Sequence, residues 1–88
     1  MVTNLGRVCA KVSDKKNVIL DIEPFYTPDT TRIHLAKIPE GDELDYIAGF
    51  DFQADLLVYI SDDDLYQYLC IQVDRALAGE QVQSIRLR

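Results

Sequence analysis

The sequence predicts an α+β fold: a largely antiparallel sheet of five or six strands, with one helix from the C-terminal half packed on one face. Three observations lead there. Several short segments alternate apolar and polar residues with period two, as half-buried strands do. One segment, residues 61–79, holds a helical arc of apolar residues between an N-cap and a glycine stop. The length of 88 residues suits one domain with a modest core, since a chain this size buries about 60–65% of the surface its unfolded form exposes. Residues 1–88 are therefore read as a single domain, with the order β-β-β-β-β-α-β.

The first strand is read from "GRVCAKVS", which sets Val8, Ala10 and Val12 against Arg7, Cys9 and Lys11. "DKKN", residues 14–17, is a polar turn. "VILDIE" then sets Val18, Leu20 and Ile22 against Asp21 and Glu23. The two segments make a hairpin, with Lys11 in reach of Asp21 or Glu23 as a weak exposed ion pair.

"PFYTPDTT" interrupts the alternation. Pro24 and Pro28 lack backbone donors, so this stretch is an ordered loop or a sheet edge, and Phe25 and Tyr26 are expected to fold back over the core. "RIHLAKI" is a third strand and "PEGD" a turn. From Leu44 to Ile60 every even position is apolar or aromatic. This gives two strands, 44–53 and 55–60, with a bend or bulge at Gly49. Leu44, Ile47 and Ala48 also fit helical spacing, so a short helix over 42–48 competes. "LLVYI" is apolar on both faces and is expected to be a central strand.

Ser61 is an N-cap residue, with Asp64 in the capping-box position. Asp62, Asp63 and Asp64 fill the first turn, where unpaired N–H groups and a partial positive charge favour each carboxylate by about 0.3–1 kcal/mol. That accounts for the triplet without a metal. A calcium loop needs spaced oxygen ligands and a turn glycine, and "SDDDLYQY" has neither. Leu65, Tyr66, Leu69, Cys70, Val73, Ala76 and Leu77 form the core arc, and Gly79 stands where a left-handed cap belongs. "QVQSIRLR" is read as a last strand, with Ile85 and Leu87 inward, parallel to "LLVYI" through a right-handed crossover.

The net charge of −6 is uneven. Residues 39–74 hold ten acids, Glu40, Asp42, Glu43, Asp45, Asp51, Asp55, Asp62, Asp63, Asp64 and Asp74, and no lysine or arginine. Such a surface repels phosphates and anionic membranes and attracts basic partners, so no direct nucleic-acid or membrane contact is expected. The longest apolar run, residues 56–60, is far short of the roughly 20 residues that a membrane helix needs, and no signal peptide is read at the N-terminus. Cys9, Cys70 and the lone His34 make no zinc set. No metal or cofactor is expected. The cysteines are read as reduced thiols of a cytoplasmic protein, with a disulfide between them left open. His34 reads as a half-exposed strand residue. With no phosphate loop and no nucleophile elbow, no catalytic residue is assigned.

These observations lead to a non-enzymatic interaction module of inhibitor or adaptor type that engages a basic protein surface. On the back of the helix, Tyr68, Ile71 and Arg75 stand at i, i+3 and i+7 with the composition of an interface centre. Asp45, Asp51 and Asp55 supply acidic contacts. The alternative is a small-ligand-binding protein or enzyme whose site forms at a homodimer interface, drawing on His34, Tyr26, Tyr46 and Tyr59.

Overall fold

The computed structural model describes residues 5–41, 45–53 and 55–80. Helix α1 (Leu5–Lys16) leads into strands β1 (Val18–Thr27), β2 (Thr30–Lys37) and β3 (Asp45–Gln53), then a single helical turn α2 (Leu56–Tyr59) and helix α3 (Asp62–Leu77). The sheet is a three-stranded antiparallel meander in the order β1-β2-β3. The α+β class holds, but the five- or six-stranded sheet with a single helix does not. Two of the expected strands are helical, and the last one, residues 81–88, lies outside the described residues; its parallel pairing with "LLVYI" is overturned because that run is helical.

Helix α1 replaces the expected first strand. Leu5, Val8, Cys9 and Val12 are all buried, and their spacing of i, i+3, i+4 and i+7 is that of one helix face. The period-two reading placed Ala10 inside and Cys9 outside. The fold does the reverse, because a free cysteine behaves as a small hydrophobe. Asn17 stops the helix in the left-handed region, at φ 57, a conformation that asparagine tolerates better than most residues. The hairpin between residues 7–13 and 18–23 is thereby overturned, and the Lys11 ion pair with it.

The hairpin that exists joins β1 to β2. Hydroxyls tie its tip: the Thr27 N–H donates to Thr30 Oγ1 at 3.2 Å, and the two threonine hydroxyl oxygens are 2.7 Å apart. Between the pairs Glu23↔Arg32 and Thr27↔Thr30 the register slips, so Pro24, Phe25 and Tyr26 together face Thr31 alone. This bulge absorbs the missing Pro24 donor. Phe25 sits in it at φ 56 and is 84% exposed, not folded over the core. Residues 45–48 belong to β3, which decides against the short helix. The β2–β3 bulge falls at Ile47, between the pairs Leu35↔Ala48 and Ala36↔Tyr46, not at Gly49.

The run "LLVYI" is not a central strand. It forms α2, which carries the chain from the end of β3 to the start of α3, with Leu56 and Ile60 packed on the core. The helix α3 and its caps are as read, but its buried face is shifted: Leu77, expected inside, is exposed, while Gln72 is buried and Tyr68, expected on the back, packs against the core. Ser61 Oγ accepts from the Asp64 N–H at 3.1 Å. At the other end Gly79 takes φ 81, and the Glu80 N–H donates to the Arg75 carbonyl at 2.9 Å, the bond of a left-handed helix stop.

Helices α1 and α3 pack against each other and against one face of the sheet, α1 touching β1 and α3 touching β3. Ile33, Leu35, Phe50, Phe52, Val12, Leu69 and Val73 are the fully buried side chains. Truncating Phe50 or Phe52 to alanine removes packing worth about 3–5 kcal/mol. Among the described residues no element covers the opposite face of the sheet.

Candidate functional site on the uncovered sheet face

Strand alternation fixes what the uncovered face presents. With Ile33, Leu35, Phe50 and Phe52 turned inward, Arg32, His34 and Ala36 of β2 turn outward. Register places their neighbours: Glu23 and Asp51 flank Arg32, Asp21 and Gly49 flank His34, and Ile19 and Tyr46 flank Ala36. Three rungs thus run across the face, and each builds a different arrangement.

The first rung is an ion pair under an aromatic ring. Arg32 Nε donates to Asp51 Oδ1 at 2.6 Å, and Nη2 donates to Oδ2 at 3.0 Å. The guanidinium carbon stands 3.7 Å from the centroid of the Tyr26 ring. Fork geometry and ring stacking are what arginine offers beyond lysine. Hydrogen bonding to Asp51 raises the Arg32 pKa above its ordinary value, so this cation is fixed and already neutralised.

The second rung holds His34. Its Nε2 lies 2.7 Å from Glu23 Oε1, and an ionised carboxylate accepts only, so Nε2 carries the proton. Nδ1 stands 3.5 Å from the Tyr46 hydroxyl, a long contact. The third rung, with Asp21 and His34, lines a shallow pocket of about 240 Å³ formed by Ile19, Asp21, His34, Ala36 and Tyr46. Pockets for drug-sized ligands span about 300–1,000 Å³, so this one is on the scale of a side chain. Glu23 is engaged by His34 and Asp51 by Arg32. Asp21 makes no ion pair or hydrogen bond with another side chain among the described residues.

A larger groove of about 480 Å³ runs between α1 and the start of α3, lined by Val8, Lys11, Asp14, Lys15, Asp62, Asp63 and Tyr66. Its two lysines and three aspartates largely offset one another, which leaves it little charge preference.

The residues expected to bind a partner do not converge. Tyr68 is half-buried, its ring edge-on to Phe52 at 5.7 Å between centroids, and burial raises its pKa against the opposing effect of Arg75. Ile71 is 55% exposed and Arg75 half-buried, on the opposite side of the molecule from the outer sheet face. Asp45 is exposed and pairs in register with Lys37. Asp51, 8% exposed, is held by Arg32. Asp55 is exposed just before α2. Of the residues set out for a ligand site, His34, Tyr26 and Tyr46 do share one face, while Tyr59 stands on α2. Sequence reasoning missed Asp21, Ile19 and Gly49, whose significance comes from cross-strand register. Cys9 and Cys70 are free thiols. No group of three or more potential metal ligands occurs among the described residues, and no helix there is long and apolar enough to cross a membrane. Comparison of the chain with protein-family models, curated proteins and solved structures finds no match.

Proposed function

We propose that the chain is a non-enzymatic, cytoplasmic protein-interaction module that docks a basic protein surface on the uncovered face of its sheet. The observation that carries this reading is the make-up of that face. Two exposed aromatics share it with a carboxylate: Tyr46 lines the same pocket as Asp21, and Tyr26 stacks on Arg32, while Asp21 makes no ion pair or hydrogen bond with another side chain among the described residues. The one guanidinium on the face among the described residues, Arg32, is already neutralised by Asp51. Aromatic anchors supply contact area at low entropic cost, and excess negative charge selects and steers a cationic partner. The net charge of −6 adds long-range attraction of the same sign. The proposed surface therefore shifts from the back of α3 to the sheet.

Tagged protein exposed to lysate of its source cell at low salt, then eluted with rising salt, tests the reading. The expected result is one basic protein held in stoichiometric amount, released as salt shortens the screening length below about 8 Å, and lost with Tyr46→Ala. Retention that ignores both salt and Tyr46 overturns it.

A further inference from the structure

We infer that the pocket of Ile19, Asp21, His34, Ala36 and Tyr46 is a receptor for an arginine side chain of the docking partner. This inference rests on the function proposed above and names the group that the site recognises.

The argument starts from a comparison within the molecule. One rung of the face holds a complete arrangement: a guanidinium, Arg32, stacked on Tyr26 and gripped by the carboxylate of Asp51. The pocket beside it offers a tyrosine, Tyr46, and a carboxylate, Asp21, with no lysine or arginine in its lining among the described residues. It has the carboxylate and the ring of the first arrangement without the arginine. The remaining lining suits the rest of that side chain. Ile19 and Ala36, paired across β1 and β2, give an apolar strip for the methylene stem, which long cationic side chains bury while the head stays polar. Glu23 accepts a hydrogen bond from His34 Nε2, which fixes the ring with Nδ1 on the side where Tyr46 lies. Guanidinium is favoured over ammonium because it is planar, stacks on aromatic faces and meets a carboxylate with two parallel donors.

The test is an NMR titration of the isotope-labelled chain with acetyl-arginine amide, with acetyl-citrulline amide and acetyl-lysine amide as comparisons. Citrulline keeps the shape and loses the charge. The expected result is saturable millimolar binding of the arginine probe, with shifts at the amides of Ile19, Asp21, Ala36 and Tyr46. Citrulline should bind at least tenfold more weakly and lysine several-fold more weakly. Asp21→Asn, which keeps the volume, should weaken the arginine probe about tenfold, and Tyr46→Leu to a similar degree. Asp63→Asn, at the start of α3, should leave it unchanged. Equal shifts with citrulline, or full binding by Asp21→Asn, overturn the inference. The two proposals fail separately. A salt-released partner that still binds Asp21→Asn retains the docking function and removes the arginine site. Specific arginine binding without a basic partner does the opposite.

Discussion

Tyr46 lies across Gly49: a β-carbon at position 49 would stand only 2.6 Å from the Tyr46 hydroxyl oxygen and 3.3 Å from Arg32 Cδ. The missing side chain is what lets the ring lean along β3 toward His34 and wall the pocket. Gly49→Ala should therefore push the ring aside. The cost in stability is small, because the displaced atom is the far end of an exposed side chain, and alanine in a strand recovers about 0.5–1 kcal/mol of backbone entropy. Urea unfolding should place the variant within about 1 kcal/mol of the parent, while the arginine probe binds several-fold more weakly. A variant that binds normally would show that the position of Tyr46 is unimportant.

Arg32 and Asp51 behave differently. The Asp51 carboxylate is largely shielded from water, with 11% of its side chain exposed against 27% for Arg32. Arg32→Met leaves that carboxylate without its fork of donors. The expected loss is about 2–3 kcal/mol, below the 3–5 kcal/mol seen when a fully buried pair is broken. Adding Asp51→Leu should recover part of it, since removing both members of the pair avoids a shielded carboxylate that has lost its guanidinium. Chemical denaturation of the single and double variants gives the coupling directly. A double variant as unstable as the single one would refute this account.

Phe25 combines two unfavourable features for an aromatic: a left-handed backbone, φ 56, and 84% exposure. A bulky residue at positive φ is a steric outlier, and strain of this kind costs roughly 1–3 kcal/mol. Phe25→Gly should raise the urea midpoint by an amount equivalent to about 1 kcal/mol. A variant no more stable than the parent would show that the backbone at position 25 carries no such cost.

How far this arrangement was legible from the sequence depends on the range of each signal. Helix α3 was readable because its signals are local: Ser61, the aspartates, the apolar arc and Gly79 lie within 19 residues. Strands β1, β2 and β3 were readable from alternation. Helix α1 was misread because Val8, Ala10 and Val12 fit period two, while Leu5, Val8, Cys9 and Val12 fit the helix. The tie turns on whether Cys9 counts as apolar. The run at 56–60 was misread because four or five apolar residues have no distinguishing period, and only the need to turn from β3 into α3 decides. The site was the least legible part. Asp21, His34 and Gly49 are far apart in sequence and meet only through the β1–β2–β3 register, which the mistaken first hairpin had assigned to other segments.

Cys9 ties the core to alkaline pH. It is 2% exposed, on the α1 face turned to the core, and burial pushes its thiol from the ordinary 9.0 up to about 12. The folded chain keeps a proton there that the unfolded chain releases above pH 9. Between pH 9 and 12 the unfolded state thus binds fewer protons, and stability falls as pH rises. Below pH 9 the contribution is fully present. The loss approaches about 4 kcal/mol by pH 12. Tyr68, raised by burial, and Lys16, raised by its hydrogen bond to Asp74, act in the same direction. Urea unfolding at pH 7, 9 and 10.5 should show stability level to pH 9 and declining beyond it. Cys9→Ala should be less stable at pH 7 through lost packing, yet decline less steeply above pH 9. In the native parent iodoacetamide should modify the half-buried Cys70 before Cys9, because the thiolate is the reactive form and Cys9 is held protonated. A decline equally steep in Cys9→Ala would transfer the effect to Tyr68 and Lys16 and remove Cys9 as its source.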